Sequence, residues 1–130
     1  MTTDKITAGL TPRGAENLKE VMDSGWFEEE MDAYRVAIGT AIAHGLCSSE
    51  SEMAGVKTKW NVGSLDRDGS LRPLVIALVG ACGDRPYEYA ERLADAGLAF
   101  LVQKLVRENG LLFEVLVGPA GERVPTVPIS

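Results

Sequence analysis

The longest periodic segment of the chain runs from Pro86 to Asn109 and Gly110, and it constrains the fold more than any other feature. Tyr87, Ala90, Leu93, Ala94, Leu98, Leu101 and Leu105 recur at intervals of three and four, which lays one apolar stripe along a helix. Pro86 suits the first helical position, where its missing N–H costs nothing, and Asn109 with Gly110 supplies the stop. A chain built on such a helix is mainly α.

Two more helices precede it. Thr11 stands before Pro12, so its side chain caps a helix that opens at Pro12, carries Ala15, Leu18, Val21 and Met22 on its core face, and ends at Ser24 and Gly25. Glu28, Glu29, Glu30 and Asp32 then crowd the start of a second helix, where its dipole favours negative charge. Met31, Tyr34, Ile38, Ala41 and Ile42 form its core face, and Gly45 after His44 stops it. Gly39, Thr40 and Ala43 lie on this helix as small residues four apart or less, which predicts close backbone packing or an interface. A further helix begins at Asp68 or Ser70 and carries Leu71, Leu74, Val75, Leu78 and Val79, with Pro73 tolerated in its first turn.

The remaining segments are read more coarsely. Lys5–Leu10 alternates with Ile6, Ala8 and Leu10 on one face, the period of a short half-buried strand, and also fits an extended lead-in. From Cys47 to Asp68 the periodicity fails, which predicts a long irregular connection. Gly80–Arg85 reads as a turn, and Leu111–Val117 fits a closing strand and a further helical turn equally. Residues 1–118 are therefore expected to form a single helical domain, with residues 119–130, including Pro119, Pro125 and Pro128, as a flexible tail.

At 130 residues the chain has one domain's length, and its net charge of −6 makes the molecule as a whole repel polyanions. Two cysteines, one histidine, no secretory leader and no apolar run near the roughly 20 residues of a membrane span point to a cytoplasmic protein without membrane contact. His44, Cys47 and Cys82 are too scattered to predict a metal site, and no cofactor motif is present. An enzyme would need a site near Cys47, Cys82 and His44, because a cysteine nucleophile requires a base and His44 is the sole imidazole. Asp66-x-Asp68-Gly69 fails as a calcium loop, since glycine comes fourth and the twelfth position is Ala77. No catalytic residue is assigned.

Lys57, Thr58, Lys59, Trp60 and Asn61 carry the strongest binding signal. Two lysines beside a hydroxyl and an indole can grip a phosphate backbone and stack on it; Trp60 equally fits an apolar plug with the lysines left in water. Residues 47–75 balance acidic and basic side chains and are the least acidic stretch.

The segment Ile6–Leu46, with "Leu Thr Pro Arg" followed by "Ala Tyr Arg Val Ala Ile", resembles the ribbon-helix-helix pattern. Its sequel, Lys59 Trp60 Asn61 Val62 Gly63 Ser64 Leu65 feeding a leucine-rich helix, resembles the small DndE-type subunit of bacterial DNA phosphorothioation systems, a likeness spanning roughly residues 5 to 105. The resemblance implies a non-enzymatic, homo-oligomeric helical protein acting with a protein partner in a DNA-modification or phage-defence assembly. One departure stands out: ribbon-helix-helix binders seat a phosphate at the start of the second helix, where Glu28–Glu30 repel one. DNA contact then falls to Lys5, Thr7 and Arg13, or to Lys57, Lys59, Trp60 and Arg67, the alternative reading being a direct DNA-binding regulator. The acidic balance favours a protein partner with a basic face.

Overall fold

The computed structural model describes residues 4–79, 85–110 and 112. Strand β1 (Thr7–Leu10) leads into helices α1 (Pro12–Asp23) and α2 (Glu30–His44). A 3-10 turn at Glu50–Met53, strand β2 (Lys57–Asn61), the short helix α3 (Val62–Leu65) and helices α4 (Leu71–Leu78) and α5 (Pro86–Leu101) follow, α5 running on as π-helix over Val102–Arg107. The protein is mainly α, as its periodicity predicts. Residues 80–84 with Cys82, the Leu111–Val117 segment other than Leu112, and the 119–130 tail lie outside the described residues.

Helix ends governed by local chemistry fall where expected. Thr11 Oγ1 accepts the Gly14 N–H at 2.8 Å, satisfying one of the donors that a helix start leaves open. Gly45 adopts the left-handed conformation at φ 68°, letting the Leu46 N–H reach the Ala41 carbonyl at 2.8 Å. Asn109 turns the chain at φ 57° after the π-helix. Two other helix starts are capped by carboxylates the sequence reading did not single out. Asp66, rather than Asp68 or Ser70, accepts the Leu71 and Arg72 N–H groups at the start of α4, at 2.8 and 3.0 Å, while Asp68 turns back onto Ser70. Asp4 accepts the Tyr87 and Glu88 N–H groups at 2.9 and 3.1 Å, tying the N-terminal lead to the start of α5.

The core forms around α5. Its Ala90, Leu93, Ala94, Leu98 and Leu101, with Leu105 beyond, are buried against Ala33, Tyr34, Ala37, Ile38 and Ala41 of α2 and Leu18 and Val21 of α1. The expected core lists need trimming: Ala15 is exposed, and Met22, Met31, Ile42 and Tyr87 are half-buried at the margins. The tightest helix contact involves Gly97, where an added Cβ would stand 2.0 Å from the Ala37 carbonyl oxygen. Gly39, by contrast, faces open space.

The Cys47–Asp68 connection is more ordered than its lack of period suggests. Lys57–Asn61 pairs antiparallel with β1, matching Thr7 with Asn61, Ala8 with Trp60, Gly9 with Thr58 and Leu10 with Lys57, so that Lys59 is an extra, bulged residue. An edge strand exposed at every position but Trp60 carries little apolar alternation to reveal it. Gly9 is required by this pairing, because a Cβ there would lie 2.1 Å from the Lys57 carbonyl oxygen. The other edge of β1 is closed by side chains: the Gly9 N–H donates to Glu91 Oε2 at 2.8 Å, and the Tyr34 hydroxyl donates to the Gly9 carbonyl at 2.9 Å. Ile6, expected on the buried face, precedes the strand and is exposed.

Candidate functional site

The residues predicted to touch DNA are spread over several surfaces, and most of their charge is already engaged. Lys5 Nζ donates to both oxygens of Glu91 at 2.7 and 2.9 Å. Arg13 Nη2 pairs with Asp95 at 2.6 Å, and Lys59 Nζ with Glu30 at 3.0 Å. Lys57 and Arg67 are exposed and form no ion pair among the described residues. Thr7 meets Thr58 across the ribbon, hydroxyl to hydroxyl at 3.4 Å. Trp60 turns inward, edge-on to Tyr34 at a ring separation of 4.8 Å, with Lys59 Nζ 5.6 Å from its ring. Lys57 and Lys59 border one cavity with α1, Arg67 lines a second beside α4, and Lys5 a third.

The sequence reading missed the two most buried acids. Asp95, 3% exposed, accepts hydrogen bonds from Thr11 Oγ1 at 2.7 Å, Arg13 Nη2 at 2.6 Å and Ser48 Oγ at 2.6 Å. Glu91, 4% exposed, accepts from Lys5 and from the Gly9 N–H. The available signal was their placement: both sit four apart on α5 beside Ala94 and Leu98, where an unpaired carboxylate is too costly to bury. Their partners are supplied by β1, the start of α1 and the Ser48 loop, so the two carboxylates hold those segments onto α5. Burial, reinforced by the Glu91 and Asp95 charges, also pushes the Tyr34 phenol well above its ordinary range.

Cys47 is exposed, and Cys82 lies outside the described residues. Partial burial pushes the Cys47 thiol up, against the lowering effect of Arg92, which is the opposite of an activated nucleophile. The His44 ring packs on Phe100 at 4.6 Å. Among the described residues no group of three or more His, Cys, Asp or Glu side chains is placed to hold a metal ion, and no helix is long and apolar enough to cross a membrane.

The surface that departs most from a solvated one is α4. Of the five residues expected in its core, Val75 is buried and Leu71 and Val79 are half-buried against the core, whereas Leu74 is 42% and Leu78 58% exposed, and Ile76 adds 43% on the opposite flank. The misassignment has a simple cause: Leu71–Leu78 has one charged residue, Arg72, so its sequence does not distinguish a buried side from an exposed one. Leu74 and Leu78, four apart, share a flank, and Leu74 opens onto a groove of about 620 Å³ between α4, the Asp66–Ser70 turn and the start of α2. Met31, Leu65, Leu71 and Leu74 give it apolar walls; Glu29, Asp32, Asp66 and Asp68 outnumber Arg35 and Arg67 among its charges. Arg35, also there, is consumed by the Leu65 and Ser64 carbonyls at 2.7 and 3.2 Å and by Asp32 at 3.0 Å. Hydrogen bonds from Ser70 hold the Asp68 carboxyl below its ordinary range, keeping that rim charge negative.

On the predicted α2 interface, Gly39 and Ala43 are exposed, whereas Thr40 is buried and donates its hydroxyl to the Val36 carbonyl at 2.7 Å. Comparison with protein-family profiles, curated proteins and solved structures finds no match to this chain.

Proposed function

We propose that this chain is a non-enzymatic small subunit that docks onto a protein partner in a DNA-processing assembly of the kind its sequence resembles, by seating a basic amphipathic helix of that partner in the groove beside α4. The observation that carries the reading is the exposure of Leu74, Ile76 and Leu78 on a helix with one buried residue. An amphipathic helix lays an apolar face into such a groove and reads it at helical spacing. The acidic rim and the net charge of −6 select a basic partner and steer its approach.

A labelled peptide with leucine on one helical face and lysine on the other tests this by fluorescence anisotropy, with its leucine–glutamate counterpart as control. The basic peptide is expected to bind and the acidic one not. Leu74→Asp with Leu78→Asp is expected to weaken binding on the order of 30-fold, with the circular dichroism spectrum unchanged because both side chains are exposed. Equal binding of the two peptides, or an unaffected double variant, would overturn the reading. Duplex DNA in the same assay is expected to give no binding at low salt; binding that falls steeply with salt would put the direct DNA-binding reading in its place.

A further inference from the structure

The register of the ribbon places a lysine on a face otherwise given to the core. Residues directly opposite in an antiparallel pair share a face. Ala8 is opposite Trp60, and Leu10 is opposite Lys57. Ala8 and Leu10 are buried and Trp60 lies against Tyr34, so the register sets Lys57, itself exposed, on the same side of the ribbon at its end. There it borders a cavity of about 340 Å³ floored by Leu10, Pro12, Ala15 and Leu18. Gly55 narrows one wall, where a Cβ would come within 3.2 Å of the Pro12 ring. Glu30 stands at the same rim, yet it pairs with Lys59, and the Lys57 ammonium makes no ion pair among the described residues.

An uncommitted cation above an apolar floor is complementary to a molecule with a charged head and an apolar tail. The volume lies at the lower end of small-molecule sites, which limits that tail to a few carbons. Glu30 at the rim opposes a dianion more than a monoanion, disfavouring a phosphate monoester. We propose that this cavity binds a short-chain aliphatic carboxylate, its head on the Lys57 ammonium and its tail on Leu10, Pro12, Ala15 and Leu18. The site is independent of the α4 groove and stands or falls separately from it.

The probe is hexanoate, titrated into the full chain and followed by amide resonances in two-dimensional NMR. Saturable shifts are expected at Ala15, Gly55 and Lys57, with a Kd on the order of 1 mM. Lys57→Gln is expected to weaken binding about tenfold, the scale of one charge-assisted hydrogen bond. Ala15→Phe, at an exposed helix position, fills the cavity and is expected to abolish the shifts. Hexanol lacks the head and acetate the tail, so each is expected to bind about tenfold more weakly. Absence of saturable shifts up to about 20 mM hexanoate, hexanol or acetate binding as well as hexanoate, or a Lys57→Gln variant that binds normally would each overturn the proposal.

Discussion

Replacing Gly97 by alanine tests the central packing contact of the fold with a single methyl group. The new Cβ would lie 2.0 Å from the Ala37 carbonyl oxygen, 2.6 Å from its carbon and 3.0 Å from Cα, whereas ordinary contact begins at 3.4 Å. All three neighbours are backbone atoms of α2, so no side-chain rotation relieves the overlap. The helices must separate by about 1.4 Å, and a gap of that size forfeits half or more of each dispersion contact across the seam. That seam is lined by Ala33, Ala37 and Ala41 facing Ala94 and Leu98. Overpacking of this kind costs about 3 kcal/mol, and alanine's better helix propensity returns about 1 kcal/mol, leaving a net loss of about 2 kcal/mol. Gly39→Ala on α2 is the internal control: nothing lies within 4 Å of its Cβ, so only the propensity gain of about 1 kcal/mol applies. Urea unfolding followed by circular dichroism measures both. The two variants are expected to move in opposite directions; a Gly97→Ala protein as stable as the parent would refute the close crossing of α2 and α5.

Two further substitutions probe the polar structure. Asp95→Asn removes the counter-charge of Arg13 and sets an amide donor among three donors, and is expected to cost about 2–3 kcal/mol in urea unfolding; an unchanged midpoint would show that the carboxylate does not anchor Thr11, Arg13 and Ser48. The Tyr87 phenol is pushed up to about 12 by burial, its hydrogen bond to Asp66 and the Asp66 charge, against an ordinary value of 10.0. The folded state therefore holds this proton after the unfolded chain has released it, so the associated stability is complete below about pH 10 and is lost as pH rises toward 12. Tyr87→Phe is expected to flatten the fall in melting temperature over that interval, and a parent-like slope in the variant would contradict the assignment.

What the sequence disclosed about this fold divides by range. Thr11, Pro12 and Gly14 are neighbours, as are His44 and Gly45, so the chemistry that starts α1 and stops α2 is written within a few positions. The cap on α5 is not: Asp4 reaches Tyr87 and Glu88 across more than eighty residues. Glu91 and Lys5 are likewise 86 apart and Asp95 and Arg13 82, while Asp95 and Ser48 are 47 apart. Sequence spacing shows that Gly39 and Gly97 are small but not which of them has a neighbour. For α4, an apolar run without a polar face left burial undetermined, and packing buried Val75 fully and Leu71 and Val79 in part. The Lys57–Trp60 segment was legible as a place of interest, while its division into an inward Trp60, an ion-paired Lys59 and a Lys57 without an ion pair among the described residues depends on a one-residue bulge that no local pattern announces.

That division bears on how the molecule meets other molecules. Lys5, Arg13 and Lys59 each already pair with a carboxylate, so a phosphate would have to share or displace that partner. Lys59 is released easily, since both members of its pair are substantially exposed and such pairs are worth about 0–1 kcal/mol. Lys5 and Arg13 are different, because Glu91 and Asp95 are almost wholly buried and would be left with one hydrogen-bonding charge partner fewer. The residual hydrogen bonds from Gly9, Thr11 and Ser48 offset only part of that loss. A screened surface phosphate contact returns less than full displacement costs, whereas Arg13, which meets Asp95 through Nη2, keeps further guanidinium donors for a shared contact. Among the described residues, the apolar flanks of α4 remain exposed and the Lys57 ammonium borders an apolar floor without an ion pair. Leu74 and Leu78 stay about half exposed beside the buried Val75, and the docking proposed for the α4 groove accounts for leucine at both positions.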